Sequence, residues 1–396
     1  MKRALQPVLW VAVVLGAAYE VRVSFIRAAA QIGGDFSGYY LPAAKRLEAS
    51  GNPYDIVGYT YSPLVAMLIR PFASDPVARL SHAWSGAMVA CLFAAAATTG
   101  LWKVSDWRRP VLTGVAVLTL FKFWPTTISL FLGQADPIVL AVFTLAIAAA
   151  MYARQVLAAV LLGLCGVLKT WPVLFGLGML GRPIQRRALV TLVLTALAAP
   201  GLALVLGSSS WVWGMAHGSV DNASQQLISH SVWGFADLTF RRTGLAEPLV
   251  TSLPLKLAIA LALALVLIAV VVRLQQHAAD QATLLVHVAP AAVLLVPVSH
   301  LGYLIFVLPL LWYWVARALR QEHRSLAGLA VLSVWWLVAE RPWPDNGSGA
   351  TLSALRYDVP FLVTYASSVA SALLATHRTD SHAQLSGRIR SGRPEK

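Results

Sequence analysis

The sequence predicts an all-α polytopic membrane protein of about twelve transmembrane helices, each long enough or well enough buried to lie in a hydrocarbon slab. Three observations lead there. Hydrophobic residues make up 58% and charged residues 12% of 396, with a mean hydropathy of +0.68, whereas a soluble globular chain carries about 25% charged residues. A large core cannot account for the shortfall, because a soluble protein must still cover its outside with polar groups. Apolar runs of about 17–25 residues recur along the whole chain. Lys and Arg fall in short clusters between those runs, the pattern of cytoplasmic loops.

Helical spacing and apolar length place the segments at 8–28, 80–102, 110–125, 137–153, 156–168, 172–181, 188–206, 254–273, 282–297, 302–320, 326–340 and 359–375. The first reads as an uncleaved helix, since no small-residue cleavage site follows it. The pair around Cys165 and Phe175 is too short for a full bilayer and reads as a hairpin buried among other helices. With the N-terminus cytoplasmic, twelve crossings put Lys2 and Arg3, Lys103 with Arg108 and Arg109, Arg154, Arg182 with Arg186 and Arg187, Arg273, Arg317 with Arg320 and Arg324, and a basic tail on one side. The net charge of +14 therefore reports topology and excludes a nucleic-acid partner. Residues 1–376 form one membrane domain, and 377–396 a basic cytoplasmic tail. Cys91 and Cys165 sit in apolar runs without disulfide or metal spacing.

The outer segments are 29–79, 207–253 and 341–358. In the first, apolar residues at helical spacing from Phe36 to Ser50, flanked by Lys45 and Arg46, suggest an interfacial helix. Trp211, Trp213, Trp233, Trp335, Trp336 and Trp343 read mostly as interfacial anchors.

Acidic residues are scarce, so each one invites a question. Asp35 follows Gly33 and Gly34, which permit a tight turn; it is either a general base at the membrane surface or a helix N-cap. The stretch from Asn52 to Pro63 is a structured turn whose aromatics, Tyr61 among them, could stack on a sugar or lie at headgroup level. Lys169 sits among apolar residues at the break of the short hairpin, where an ammonium suits a phosphate unless it snorkels to the interface. Gln134 lies at an outer helix end and Asp136 with Pro137 at a helix start, while His230 and His300 occupy outer positions. All of these fall on one side of a topology drawn from basic loops alone, which suggests one outer pocket. No metal motif or nucleotide loop is present.

At these positions the chain resembles glycosyltransferase family 87, the polyprenyl-phosphate-mannose-dependent mannosyltransferases of the GT-C membrane fold. The landmarks run in order over about residues 30–310: Asp35, Tyr39, Tyr40, Ala43 and Ala44; Gly51, Pro53 and Tyr54; Tyr61 to Leu64; Gly133 and Gln134; Lys169 with Pro172; Ser231; His300. Asp136 stands where Asn is expected, Pro172 follows Lys169 later than usual, and His230 replaces an amide. The resemblance implies an inverting, α-mannosyl transfer from a polyprenyl-phosphate sugar to a lipid-linked or glycan acceptor, outside the plasma membrane of a bacterium, without cofactor or metal. Asp35 would be the base. Lys169, Lys45, Arg46 and His300 are the candidates for the donor phosphate, and Tyr39, Tyr40, Tyr61, Gln134 and His230 for the substrates. The competing reading is a multi-pass lipid or sugar transporter or flippase, which would distribute its charges through matched halves. An acyltransferase would need a base and nucleophile within one loop, which is missing.

Overall fold

A computed structural model describes residues 2–29, 33–180, 186–207, 209–214, 216, 229–240, 248, 250–278, 280–322, 325–339 and 358–376. The basic tail, the sequence around Trp343, and Arg182 and Arg324 lie outside the described residues. Among the described residues every regular element is helical. Each of the twelve expected segments coincides with helix to within a few residues.

The helices that frame the site are α1 (Lys2–Ala29), α2 (Leu41–Glu48), α3 (Pro63–Ile69), α4 (Val77–Thr98), α5 (Arg109–Phe121), α6 (Trp124–Leu132), α7 (Asp136–Met151) and α8 (Gln155–Leu168). They continue as α9 (Arg186–Ala196), α10 (Ala198–Gly207), α11 (Val232–Phe240), α12 (Leu253–His277), α13 (Gln281–Leu295), α14 (Leu308–Leu319), α15 (Ser325–Ala339) and α16 (Asp358–Thr376). Among the described residues, six stretches are long and apolar enough to cross a membrane, and the bent pair α5–α6 makes a seventh if it counts as one span. Others, such as α7, α8 and α13, are apolar but shorter.

The outside of this bundle is as apolar as its inside. On α12, Leu257, Leu261, Leu265 and Ile268 are all exposed, and on α1 so are Val8, Val11, Val14 and Leu15. Large leucine-covered faces are untenable in water and ordinary against lipid. The chain is a polytopic membrane protein. Its inner layer is α13, α14 and the 3₁₀ run before α14, where Trp312, Trp314 and Phe306 are buried in one core with Phe143 of α7 and Phe175. Two expected anchors point inward instead: Trp335 is buried and donates to Thr364 at 2.9 Å, and Trp233 donates to the Leu295 carbonyl at 3.0 Å. A buried indole N–H finds an acceptor, and here the bundle supplies it.

Among the described residues, helices α3, α6 and α11 go beyond the segments expected. The chain turns by 61° between α5 and α6, because Phe123 is extended and Pro125, in the first turn of α6, cannot continue the preceding helix. Lys122 at this corner is tied to Glu20 of α1 at 2.8 Å. Helix α6 ends on Gly133, whose φ of +66° is the left-handed cap that glycine adopts without strain.

That cap positions the segment that follows α1. A Cβ on Gly33 would stand 2.8 Å from the Gly133 Cα, so the two backbones touch where only glycine fits. The Trp84 indole of α4 donates to the Gly133 carbonyl at 2.8 Å and stacks on Phe36, with ring centres 5.2 Å apart. From there a π-helical turn, Phe36–Tyr40, leads into α2, which buries Leu41, Ala43, Ala44 and Leu47 and exposes Lys45 and Arg46. A helix thus stands where the sequence led one to expect one, with its apolar side chains packed inward. Two substitutions test the backbone contact. Gly33→Ala should lower the thermal unfolding midpoint of the detergent-solubilised protein, and Gly133→Ala should lower it further, by about 1–3 kcal/mol in strain at the positive φ. Unchanged midpoints would mean the two turns are not in contact.

Candidate active site

Asp35 occupies the N-cap position before the π-helical turn, yet its side chain caps nothing. It instead accepts a hydrogen bond from the Gln134 amide, 3.1 Å away across the Gly33–Gly133 contact. The carboxylate is half-buried. Burial pushes it above the usual carboxylate range, and neighbouring Asp136 adds to the rise; the Gln134 hydrogen bond, the Lys169 charge and Tyr61 oppose it. The capping alternative is thereby answered: the side chain faces the Gln134 turn.

The turn after α6 also delivers Asp136, the first residue of α7. Its position is that of a helix start, but its carboxylate serves as counter-ion. Lys169 Nζ lies 2.6 Å from Asp136 Oδ1, and both side chains are shut off from solvent. Lys169 reaches inward because α8 stops there: its backbone is extended, and a 3₁₀ run, Trp171–Met179, follows. The ammonium sits 4.0 Å from the centre of the Tyr303 ring and 5.5 Å from that of Tyr61, an aromatic lining suited to a cation out of water. The lysine does not snorkel.

Around this pair the tyrosines do different work. Tyr40, buried, accepts from the Ala135 N–H at 3.3 Å and meets Tyr61 edge-on at 4.5 Å, so both brace the Gln134–Asp136 turn. Tyr54 and Tyr59 spend their hydroxyls on the backbone: Tyr54 donates to the Tyr61 carbonyl at 3.0 Å and Tyr59 to that of Ser62 at 2.8 Å. These bonds hold the turn before α3, where Ser62 caps the helix by accepting from Leu64. Tyr39 packs over Gly58, at the edge of the group.

The late histidine completes the cluster. His300 meets Tyr303 edge-on at 5.3 Å, and Tyr303 stacks on Trp171 at 4.9 Å. Lys169, Thr170, Trp171, His300, Tyr303 and Thr60 line a cavity of about 120 Å³. His230 is buried in a strand-like strap along this segment: its N–H donates to the Ser299 carbonyl at 2.7 Å, while Ser229 Oγ accepts from the Ser299 N–H at 2.8 Å.

The structure thus brings together Asp35, Gln134, Tyr40, Tyr61, Lys169 and His300, with His230 just behind His300. It leaves Lys45 and Arg46 on the exposed face of α2, where Arg46 pairs with Asp55 at 2.9 Å. Three members went unnoticed in the sequence: Asp136 as the lysine's partner, Tyr303 and Trp171. The scarcity of acids was the available signal for Asp136, since a lysine at such depth calls for a partner. Among the described residues no three His, Cys, Asp or Glu side chains gather as metal ligands. The arrangement supplies a carboxylate of raised affinity for protons, a buried cation, and an aromatic-walled cavity lined by that cation.

No curated protein matches the chain. The profile of glycosyltransferase family 87 matches residues 59–297, more than half of its length. The matched stretch includes Tyr61, Gln134, Asp136, Lys169 and His230; Asp35 and His300 flank it. On that match, the chain belongs to glycosyltransferase family 87.

Proposed function

We propose that this membrane glycosyltransferase moves mannose from a polyprenyl-phosphate donor to a lipid-linked or glycan acceptor, with inversion, and that Asp35 is the general base. The observation that carries the reading is the half-buried Asp35 carboxylate, hydrogen-bonded by Gln134 and set beside the Lys169 ammonium. In this reading Asp35 takes the proton of an acceptor hydroxyl as its oxygen attacks the anomeric carbon. The bond from that carbon to the phosphate oxygen breaks, and the electron pair leaves with the polyprenyl phosphate. The phosphate gains one negative charge. Lys169 has three N–H donors, of which Asp136 takes one, so the ammonium can also meet a phosphate oxygen. His300 stands on the same cavity wall and is the second phosphate candidate. Lys45 and Arg46 are better placed to meet lipid headgroups than the leaving group, given their exposure.

The same reading sets the site at the outer face of a bacterial plasma membrane, with twelve crossings over residues 1–376 and both termini cytoplasmic; the basic clusters between apolar runs support it. A transporter draws no support from the candidate residues Asp35, Gln134, Lys169 and His300, which gather in one cluster.

The test is transfer from a synthetic short-chain polyprenyl-phosphate mannose by purified protein in nanodiscs, with crude membrane glycolipids as acceptors. Release of polyprenyl phosphate and a mannosylated product is expected; a donor left intact with every acceptor overturns the reading. Asp35→Asn should cut kcat/KM by about 10²–10⁴, the usual worth of a positioned base, and leave the unfolding midpoint near wild type. Near-normal turnover by that variant would remove Asp35 from the mechanism.

The pH dependence follows from the ionised form being active. Burial raises Asp35, so kcat/KM should fall with falling pH along a limb displaced above the ordinary carboxylate value of about 4. Gln134 donates to the ionised form and lowers that limb; Gln134→Leu should move it to higher pH. A limb that stays in place in the leucine variant would contradict the hydrogen bond's role.

A further inference from the structure

Asp136 is fully buried, and its two carboxylate oxygens are treated differently. Oδ1 takes the Lys169 ammonium, whereas Oδ2 has no hydrogen-bond partner among the described residues. A purely structural ion pair satisfies its oxygens, because a bare buried one is costly. Here the bare oxygen belongs to a carboxylate two residues beyond the amide that binds the base. Lys169, on the other side of the pair, reaches a cavity wall and lies over the Tyr303 ring.

We propose that Asp136 is a positioning residue for the transfer: a resident counter-ion that holds the Lys169 ammonium until the donor phosphate competes for it, and a second carboxylate two residues from the amide that binds Asp35. This rests on the sugar transfer proposed above. During the step the acceptor's proton goes to Asp35, its oxygen bonds to the anomeric carbon, and the phosphate leaves with the electron pair of the broken bond. One negative charge therefore moves from Asp35 to the phosphate. Asp136 stands near the charge that disappears and Lys169 near the charge that arrives, so the pair favours the product side of the shift. An uncharged Asn at this position would neither balance the Lys169 ammonium nor repel the Asp35 carboxylate.

The groups that face Asp35 come from several elements: Gln134 after α6, Asp136 at the start of α7, Lys169 after α8, Tyr61 before α3, Tyr40 in the π-helical turn, and Tyr303. Replacing Asp136 by a neutral residue removes a like charge and leaves Lys169 uncompensated; both changes favour ionised Asp35. The acidic limb of kcat/KM must then move to lower pH. The freed ammonium binds the donor phosphate more tightly in the ground state, and the weaker base lowers kcat.

The experiment uses full-length protein in nanodiscs with short-chain polyprenyl-phosphate mannose. For Asp136→Asn the expected result is an acidic limb lower by about one pH unit, with a fall in donor KM of about threefold or more alongside a lower kcat. Asp136→Glu, which keeps the charge, should retain the wild-type limb. The charge-free double variant D136N/K169Q should return the limb toward wild type and raise donor KM about tenfold; it decides the matter if the single variant does not fold. A wild-type limb and KM in Asp136→Asn, or an unchanged KM in the double variant, overturns the role of Asp136 while leaving transfer and Asp35 intact. A wild-type protein that consumes no donor overturns the transfer reading, and this inference with it.

Discussion

An ammonium and a carboxylate 2.6 Å apart, both sealed from solvent, constrain everything packed around them. Removing one member of such a pair strands the other, at a cost of about 3–5 kcal/mol. The start of α7 and the end of α8 are therefore held at one level of the bundle. The ammonium in turn fixes where aromatic faces are useful, and Tyr303 and Tyr61 occupy those places. Tyr303 carries Trp171 and His300 with it. The half-buried Asp35 carboxylate sits at the edge of this arrangement, close enough to feel its charges.

A second constraint comes from the lipid. Helices such as α1 and α12 turn their large apolar side chains outward, so polar chemistry has to be collected inside or at one end. The chain collects it from sequence-distant pieces: the segment after α1, the turn after α6, the break after α8 and the segment before α14. Glycines make the first junction possible, since Gly33 and Gly133 meet backbone to backbone. Position 36 and Trp84 then clamp that junction through stacked rings.

Much of the helical framework was legible because its signal is one-dimensional. A long apolar run announces a span wherever its neighbours lie, and the twelve segments were placed this way. Helix α6 was not: it is short, and the corner at Phe123 and Pro125 reads as the end of the preceding run. Asp35, Gln134, Lys169 and His300 stood out as polar residues in apolar surroundings and converge in the fold. The partnership of Asp136 with Lys169 was hidden because 33 residues separate them and Asp136 also satisfies the rules for a helix start. Lys45 and Arg46 lie opposite the buried face of α2, as helical periodicity alone already implied. Trp335 shows the limit of composition: an indole near a helix end suits headgroups equally well, and only the Thr364 hydroxyl reveals that it is internal.

The pairing of Asp136 with Lys169 also bears on how the chain enters its membrane. Helices α7 and α8 are consecutive and joined by a turn of three residues, Tyr152, Ala153 and Arg154, with Ala153 in the left-handed conformation. The acid opens the first helix and the base closes the second, so both charges sit at the same end of one hairpin. Inserted singly, each would burden its helix by roughly 2.5–3.5 kcal/mol at the helix centre, and less toward the ends. Inserted together, they neutralise each other without waiting for Tyr303, which leaves the ribosome more than a hundred residues later. The hairpin is thus its own chaperone for two charges that the finished enzyme keeps in place.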